Sequence, residues 1–229
     1  MMPAILHYPS RDEQAADLAE IVARELSEAI GENGKATLAV PGGSTPGAFL
    51  RALARERLDW AKLRVMLTDE RFVPETSPRS NTRLLRESLL QGPAEQATLI
   101  PFTAPADAPE DVIDGLSAAV EAALPLDVCV LGMGEDMHTA SLFPGADRLD
   151  DALAPDAPAL MAMRAPGAPE PRITLTATVL RGARNLHLLL AGKAKQAPLE
   201  QAMQSGPVVE APVRAILTAP VPVTVHYAD

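Results

Sequence analysis

Apolar residues recur at intervals of three and four along the first thirty residues, which is the spacing of an amphipathic helix. Ser10 and Glu13 have the spacing of a capping box at the start of this pattern. Gly31 stands where such a helix is expected to end. The pattern therefore predicts a first helix from Ser10 to Gly31, whose buried face would carry Ala15, Leu18, Ala19, Val22, Leu26 and Ile30.

Short apolar runs then alternate with helical patterns, and this alternation is typical of a mostly parallel sheet. The predicted strands are Ala36–Val40, Leu63–Thr68, Leu126–Leu131, Leu186–Ala191 and Val221–Tyr227. The predicted helices are Pro46–Arg55, Asn81–Leu90, Pro109–Leu124 and Lys195–Gln204. The fold class is therefore α/β, a mainly parallel sheet with helices on both faces, and we expect residues 1–229 to form a single domain.

Four details of this assignment can be checked. Asp107 and Glu110 have capping-box spacing before the third of these helices. Pro222 suggests that the last strand lies at an edge of the sheet. Residues 69–80 are expected to form a loop. The Pro- and Ala-rich segment from Pro144 to Arg172 is interpreted as structured, with a further strand at Ala159–Arg164.

Composition narrows the function. Thirty acidic and twenty basic residues give a net charge of −10, so a basic surface for nucleic acid or an anionic membrane is not expected. Cys129, the single cysteine, lies in an apolar run and is expected to be a buried reduced thiol. The first ten residues do not resemble a signal peptide, and no segment has the ~20 apolar residues that span a bilayer. We therefore expect the protein in the cytoplasm.

Four unusual loops follow predicted strands, and in such sheets ligands bind beyond the carboxyl ends of the strands. They are PGGSTP at 41–46, TDERFVP at 68–74, GMGEDMHTASLFPG at 132–145 and GKAK at 192–195. Because these ends share one edge of the sheet, the four loops are expected to form one site.

The first loop has the composition of an anion cradle. Gly42 and Gly43 can expose successive N–H groups, and Ser44 and Thr45 add hydroxyl donors ahead of a helix. An ordinary tight turn would have the same composition. The loop is neither a Walker A loop, which needs Lys and a hydroxyl where Ala48-Phe49 stands, nor a nucleophile elbow.

The third loop carries the candidate base. Histidine as a residue type changes its charge near neutral pH, so a histidine such as His138 is suited to remove a proton from water. Asp136 either orients His138 or is a solvated loop carboxylate. His187 and His226 lie within strands and are expected to be structural. Gly132-x-Gly134-x-x-Met137 lacks the third glycine of a dinucleotide-binding fingerprint, so NAD binding is not favoured.

At these residues the sequence resembles the 6-phosphogluconolactonase family. The resemblance covers nearly the whole chain, with the motifs in the family's order. The matching blocks are GGSTP at 42–46, DERFVP at 69–74, SN at 80–81, LGMGED-x-HTASLFPG at 131–145, RITLT at 172–176 and G-x-x-K at 192–195. The block at 131–145 is the most specific, since GGSTP alone also fits related sugar-phosphate isomerases and deaminases.

The resemblance implies a fold similar to glucosamine-6-phosphate deaminase and ribose-5-phosphate isomerase. It also implies hydrolysis of 6-phosphoglucono-δ-lactone in the oxidative pentose phosphate pathway, with no metal and no organic cofactor. By position, the phosphate would be held by Gly43, Ser44, Arg172 and Lys195, and the sugar would be faced by Asp69, Arg71 and His138. The chain departs from the family at Met137, where the pattern has glycine. We expect the Met137 side chain to point away from the substrate.

Two other functions are considered. A deaminase or isomerase on the same fold needs a further acid or base, and the deaminases carry Asn-Glu-Pro where this chain has Leu142-Phe143-Pro144. A non-catalytic sugar-phosphate sensor would be expected to carry a basic DNA-binding segment, for which the acidic chain leaves no room. The hydrolase is therefore favoured. The sequence carries no signal for the oligomeric state.

Overall fold

A seven-stranded sheet in which every pair of neighbouring strands is parallel forms the centre of the protein. The computed structural model describes residues 3–229. The strand order is β1-β10-β9-β6-β2-β3-β5. These strands are β1 (Ala4–Tyr8), β2 (Ala36–Val40), β3 (Leu63–Leu67), β5 (Thr98–Leu99), β6 (Val128–Leu131), β9 (Asn185–Ala191) and β10 (Val223–Ala228).

Eight α-helices in the described part of the chain connect and cover the strands. They are α1 (Arg11–Asn33), α2 (Gly47–Leu53), α3 (Asn81–Ser88), α4 (Ile113–Glu121), α5 (Leu149–Leu153), α6 (Ala177–Arg181), α7 (Gln196–Ala202) and α8 (Arg214–Leu217). Every residue of β2 and β6 is buried. This burial is expected for parallel strands covered on both faces, because each face packs against another layer.

The predicted start of α1 is confirmed with Ser10 as its N-cap, but the Glu13 carboxylate accepts the Ser10 hydroxyl where a full capping box would have it accept the Ser10 backbone N–H. The Glu13 N–H donates to Ser10 Oγ at 3.2 Å, and Ser10 Oγ donates to a carboxylate oxygen of Glu13 at 3.1 Å. The predicted end at Gly31 is wrong. The helix continues to Asn33, and Gly34, with φ of 75°, is the residue in the left-handed conformation that closes it. Gly31 is tolerated within the helix at a cost of about 1 kcal/mol relative to alanine.

A second, three-stranded antiparallel sheet has the order β4-β8-β7, from Asp69–Arg71, Arg172–Leu175 and Leu160–Met163. The strand expected at 159–164 is thus confirmed as β7. The expected loop at 69–80 is corrected, because its first three residues form β4. These residues are polar, and their pattern on its own does not resemble a strand.

Two further corrections concern edges and caps. The last strand β10 is not at an edge, since it lies between β1 and β9, and the N–H that Pro222 lacks falls outside the ladder that begins at Val223. The predicted helix at 109–124 is a 3-10 turn at Pro109–Asp111 followed by α4. Its cap is Ala108 and not Asp107, because the Ala108 N–H donates to the Asp111 carboxylate at 3.1 Å.

The hydrophobic core joins both sheets, with Leu38 and Cys129 from the parallel sheet and Ile173 from the antiparallel one. Cys129 is a free, buried thiol, and burial raises its pKa well above the usual range. Among residues 3–229, none of the helices has both the length and the apolar character needed to cross a membrane.

The order of the parallel strands reverses between β2 and β6. From β2 the chain continues to β3 and β5 on one side, whereas from β6 it continues to β9 and β10 on the other. The loops that follow β2 and β6 therefore leave the sheet side by side and diverge. A crevice opens between them, and this is where open α/β sheets bind ligands.

Candidate functional site

A cavity of about 340 Å³ lies at this switch point and is lined by all four predicted loops. Nine of the ten predicted site residues line it, namely Gly42, Gly43, Ser44, Thr45, Asp69, Arg71, His138, Arg172 and Lys195. The tenth, Asp136, lies behind His138 and contacts it. The structure thus brings together residues that are up to 153 positions apart in the chain, from Gly42 to Lys195.

The loop after β2 presents its backbone to the cavity. Gly43 has φ of 93°, a conformation that L-residues rarely adopt, and it is followed by the lining residues Ser44 and Thr45. Helix α2 begins at Gly47 and has only seven residues. An anion here would therefore be held mainly by the N–H and hydroxyl groups of the loop.

The loop after β6 places His138 against Asp136. Nδ1 of His138 lies 2.5 Å from Oδ1 of Asp136, which also accepts the His138 backbone N–H at 3.2 Å. The hydrogen bond from His138 lowers the pKa of Asp136 against the opposing effect of partial burial. On the other side, the Phe143 ring lies 4.1 Å from the His138 ring between centroids, tilted by 32°. The imidazole is thus held between a carboxylate and an aromatic ring.

Asp69 and Arg172 form the buried end of the site. A carboxylate oxygen of Asp69 lies 3.5 Å from Nη1 of Arg172 and accepts the Ser141 hydroxyl at 2.5 Å. The Arg172 guanidinium also lies over the Phe143 ring, 5.6 Å from its centroid. Burial lowers the pKa of Arg172, and Asp69 opposes that shift. Both Asp69 oxygens already have protein partners, so this side chain acts first as a brace for Ser141 and Arg172.

Arg71 stands directly opposite Arg172 in the β4–β8 ladder. Its Nη1 donates to the Arg79 carbonyl at 2.6 Å and to the Asn81 side-chain oxygen at 3.4 Å. The Nε groups of Arg71 and Arg172 are both buried without an acceptor among the described residues. The two arginines nevertheless both line the cavity, so two cations face the same space.

Lys195 and Lys193 differ although they are two residues apart. Lys195 lines the cavity. The Lys193 side chain is 84% exposed and lies 3.9 Å from the Asp229 carboxylate. Only the first is placed to meet a ligand in the cavity.

Residues 9–225 match the model of the family described as "Glucosamine-6-phosphate isomerases/6-phosphogluconolactonase". The chain belongs to this family. Among its relatives, the 6-phosphogluconolactonase of Rhizobium meliloti (strain 1021) is 46% identical over 219 residues, which cover 93% of this chain and 94% of the relative.

Solved structures of the family share the fold. The crystal structure of a 6-phosphogluconolactonase from Shewanella baltica OS155 superposes with a TM-score of 0.96 and 34% identity, covering 100% of both chains. A monomeric glucosamine-6-phosphate deaminase superposes with a TM-score of 0.82 and 17% identity, covering 98% of this chain and 97% of that one. The predicted α/β fold and its likeness to the deaminase are confirmed. The likeness to ribose-5-phosphate isomerase stays a prediction.

Met137, the departure from the family's glycine, adopts φ of 64° in the left-handed region. Its side chain is 9% exposed and belongs to the hydrophobic core, and it is not among the residues that line the cavity. The cost of the left-handed backbone, roughly 1–2 kcal/mol, is thus offset by burial of an apolar side chain. Glycine would adopt this backbone conformation without the same cost.

Four further residues of the site lie within the family blocks, but the sequence alone assigns no role to them. Asn81 and Phe143 line the cavity, Ser141 contacts Asp69, and Glu70 is buried next to Arg71. The signal available for Asn81 was its place at the start of a predicted helix after a polar block. Glu70, one carboxylate in a charged segment, has the appearance of a solvated residue.

Proposed function

We propose that this chain hydrolyses 6-phospho-D-glucono-1,5-lactone to 6-phospho-D-gluconate, the second step of the oxidative pentose phosphate pathway. The family membership and the 46% identity to the Rhizobium meliloti relative support this substrate. The observation that carries the proposal is a single cavity that holds a histidine–carboxylate pair together with Arg71, Arg172 and Lys195. Residues 1–229 act as one domain in the cytoplasm, without a metal or organic cofactor.

His138 is the general base of this proposal. The Asp136 carboxylate, with its lowered pKa, accepts the proton on Nδ1, which leaves the lone pair on Nε2 free. Nε2 then removes a proton from the water that attacks C1 of the lactone. The resulting imidazolium is stabilised by Asp136. It returns its proton to the ring oxygen when the bond between C1 and that oxygen breaks.

The cationic residues and the loop after β2 hold the phosphate. Lys195, Arg172 and the backbone of Gly43–Thr45 line the cavity, and a phosphate accepts charge-assisted hydrogen bonds from such groups. Anchoring at the 6 position turns remote binding energy into orientation of the carbonyl at C1.

Arg71 is the side chain best suited to stabilise the oxyanion formed on attack at C1. Its guanidinium lines the cavity and is held by the Arg79 carbonyl and the Asn81 side chain, so it needs little reorganisation when charge develops. Loop N–H groups after β6 are the other candidate donors. Replacement of Arg71 distinguishes the two.

The neighbourhood of His138 favours a lactonase over a deaminase. The ring next to His138 is the apolar Phe143, in the segment where deaminases carry an Asn-Glu-Pro sequence. Lactone hydrolysis needs one base, whereas the deaminases need a further acid or base to open the ring of their sugar substrate. The structural likeness to the deaminase, at 17% identity, concerns the fold alone.

A direct assay with purified protein tests the proposal. The lactone is generated in situ, and its hydrolysis is followed with and without protein so that spontaneous opening is subtracted. We expect saturable hydrolysis, with a strong preference for the phosphorylated lactone over glucono-δ-lactone. Release of ammonia from glucosamine 6-phosphate, or binding of sugar phosphates without turnover, would instead indicate the deaminase or the sensor.

A further inference from the structure

Glu70 is a carboxylate with no solvent exposure that accepts five hydrogen bonds. One oxygen accepts the backbone N–H of Arg71 at 2.7 Å and that of Asn81 at 2.8 Å. The other accepts the backbone N–H of Thr82 at 2.6 Å, the Thr82 hydroxyl at 2.8 Å and the Ser80 hydroxyl at 3.1 Å. All five donors are neutral groups, and together they use the acceptor capacity of the carboxylate.

Two of these donors are the first free N–H groups of helix α3. The helix begins at Asn81, and its third N–H, from Arg83, is accepted by Ser80 Oγ at 3.1 Å. A carboxylate at this position satisfies unpaired helix donors and interacts favourably with the helix dipole. Glu70 therefore joins strand β4 to the start of α3.

The two residues whose N–H groups share one Glu70 oxygen, Arg71 and Asn81, both line the cavity. Their side chains also contact each other, and the Asn81 amide donates to the Asp69 carbonyl at 3.0 Å. The Asn81 amide group lies where a side chain on Gly42 would be, 2.0 Å from an ideal Cβ. Asn81 is thus packed between the loop after β2 and strand β4.

We propose that Glu70 is a positioning residue of the active site, which fixes Arg71 and Asn81 in the geometry that receives the sugar. Glu70 does not line the cavity and does not touch substrate. The inference rests on the proposed function, because it assigns Arg71 and Asn81 to the sugar end of the lactone.

The test is Glu70→Gln, which keeps the shape of the side chain. Each Glu70 oxygen faces at least two donors, so either orientation of the amide places its NH2 group against donors. We expect kcat/KM to fall about 10- to 100-fold, the scale of a displacement of roughly 1 Å in positioning groups. Ser80→Ala is the matched control, since it removes one Glu70 donor and a cap of α3 while leaving the N–H groups of Arg71 and Asn81 in place.

A double-mutant cycle separates positioning from a general loss of structure. With Arg71→Met already present, Glu70→Gln should lower kcat/KM by less than about twofold further, whereas its effect should multiply with that of Lys195→Ala. The proposal is wrong if the effect of Glu70→Gln multiplies with that of Arg71→Met as well as with that of Lys195→Ala. It is also wrong if folded Glu70→Gln protein has an unchanged kcat/KM.

If Glu70→Gln does not fold, Thr82→Val removes one donor to the same carboxylate and leaves the charge in place, and the cycle is repeated with it. A crystal structure of Glu70→Gln, or of Thr82→Val, gives a readout that needs no activity. We expect the contact between Arg71 and Asn81 to be lost or displaced, and retention of both side chains at their present positions would contradict the proposal. Wild-type protein without lactonase activity would overturn the proposed function alone, because this structural readout still tests Glu70.

Discussion

Gly134 lies directly against His138: a Cβ built on Gly134 would be 2.1 Å from Nδ1 of His138 and 2.3 Å from Oδ1 of Asp136. The Gly134 N–H also donates to the His138 carbonyl at 2.9 Å. The close contact between His138 and Asp136 is therefore possible only because residue 134 has no side chain.

Gly134→Ala should lower kcat by at least about tenfold while changing KM little. The added methyl displaces the imidazole or the carboxylate, so the base loses its orientation, whereas the phosphate site is untouched. Steady-state kinetics on the lactone measure this. Gly115→Ala is the control, since its Cβ would meet nothing within 4 Å, and equal kinetic losses in both variants would refute the explanation.

His138→Ala should lower kcat by about 10²- to 10⁴-fold, the usual contribution of a positioned general base. Asp136→Asn should lower kcat by at least about tenfold, because an amide no longer fixes the proton on Nδ1. Folding should change little, since the His138 side chain is 30% exposed and the Asp136 side chain 50%. A near-normal kcat in His138→Ala would exclude His138 as the general base.

Lys195→Ala should raise KM for the phosphorylated lactone much more than for glucono-δ-lactone. A charge-assisted contact to phosphate contributes roughly 1.5–3 kcal/mol and does not exist for the unphosphorylated compound. Lys193→Ala is the matched control. It removes the same charge only two residues from Lys195, but the Lys193 side chain is 84% exposed. Arg172→Ala is predicted to act on KM in the same direction, but it also leaves the buried Asp69 without its cation. Equal losses on both lactones would place Lys195 outside the phosphate site.

Met137→Gly should change kcat/KM by less than about tenfold, since the side chain does not line the cavity. Two effects on stability oppose each other. Glycine relieves a left-handed backbone worth roughly 1–2 kcal/mol, and it removes an apolar side chain whose burial is worth roughly 1.5–3 kcal/mol. Denaturant unfolding should therefore show a small net loss. An inactive wild type with an active glycine variant would indicate that Met137 has disabled this loop.

Stability should fall as the pH is lowered from about 6.5 towards 4 because of His226. Burial, together with neighbouring His187, lowers the pKa of His226 from 6.5 to about 4. The folded state favours the neutral form of His226, so the contribution of this residue to stability is complete above the pKa that it has in the unfolded chain. It is lost as the unfolded chain takes up a proton that the folded chain does not, to a limit of roughly 3 kcal/mol.

The measurement is the unfolding free energy at pH 7 and pH 5 for wild type and His226→Gln. We expect the variant to show a smaller difference between the two values. His7→Gln is the control and should keep the wild-type difference. His226 contacts Tyr8 and His187, and His187 contacts Glu25, so the loss belongs to a connected group in which helix α1 meets the sheet. A variant with the wild-type pH dependence would exclude His226 as its source.

The parts of the fold that were predicted from sequence are those in which burial on both faces leaves a continuous apolar run. Strand β2 and the core of β6 are examples. Strand β1 was missed because its residues, AILHY, do not alternate between apolar and polar, and three of the five are exposed. Strand β4 was missed because its three residues are polar, and its pairing with β8 depends on a contact about a hundred residues away that no local pattern encodes.

The meeting of the four loops at one cavity could be predicted from the sequence, while the roles of the residues in them stay predictions. The motif at 131–145 identified His138, and the shared sheet edge brought the four loops together. Glu70 could not be recognised, because its burial depends on the packing of α3 against β4. The orientation of Asp136 was left open for the same reason, since only the folded loop brings its oxygen to Nδ1 of His138.

The pairing of Arg71 with Arg172 across the β4–β8 ladder has a consequence for how this protein can change. Like charges directly opposite each other weaken an antiparallel pair, so the two arginines lower the stability of this strand pair. A neutral residue at position 71 would strengthen the strand pair and impair the cavity it faces. With the roles proposed for Arg71 and Arg172, selection for thermal tolerance and selection for turnover act in opposite directions on this one pair of residues, and a stabilised variant of the enzyme has to gain its tolerance elsewhere.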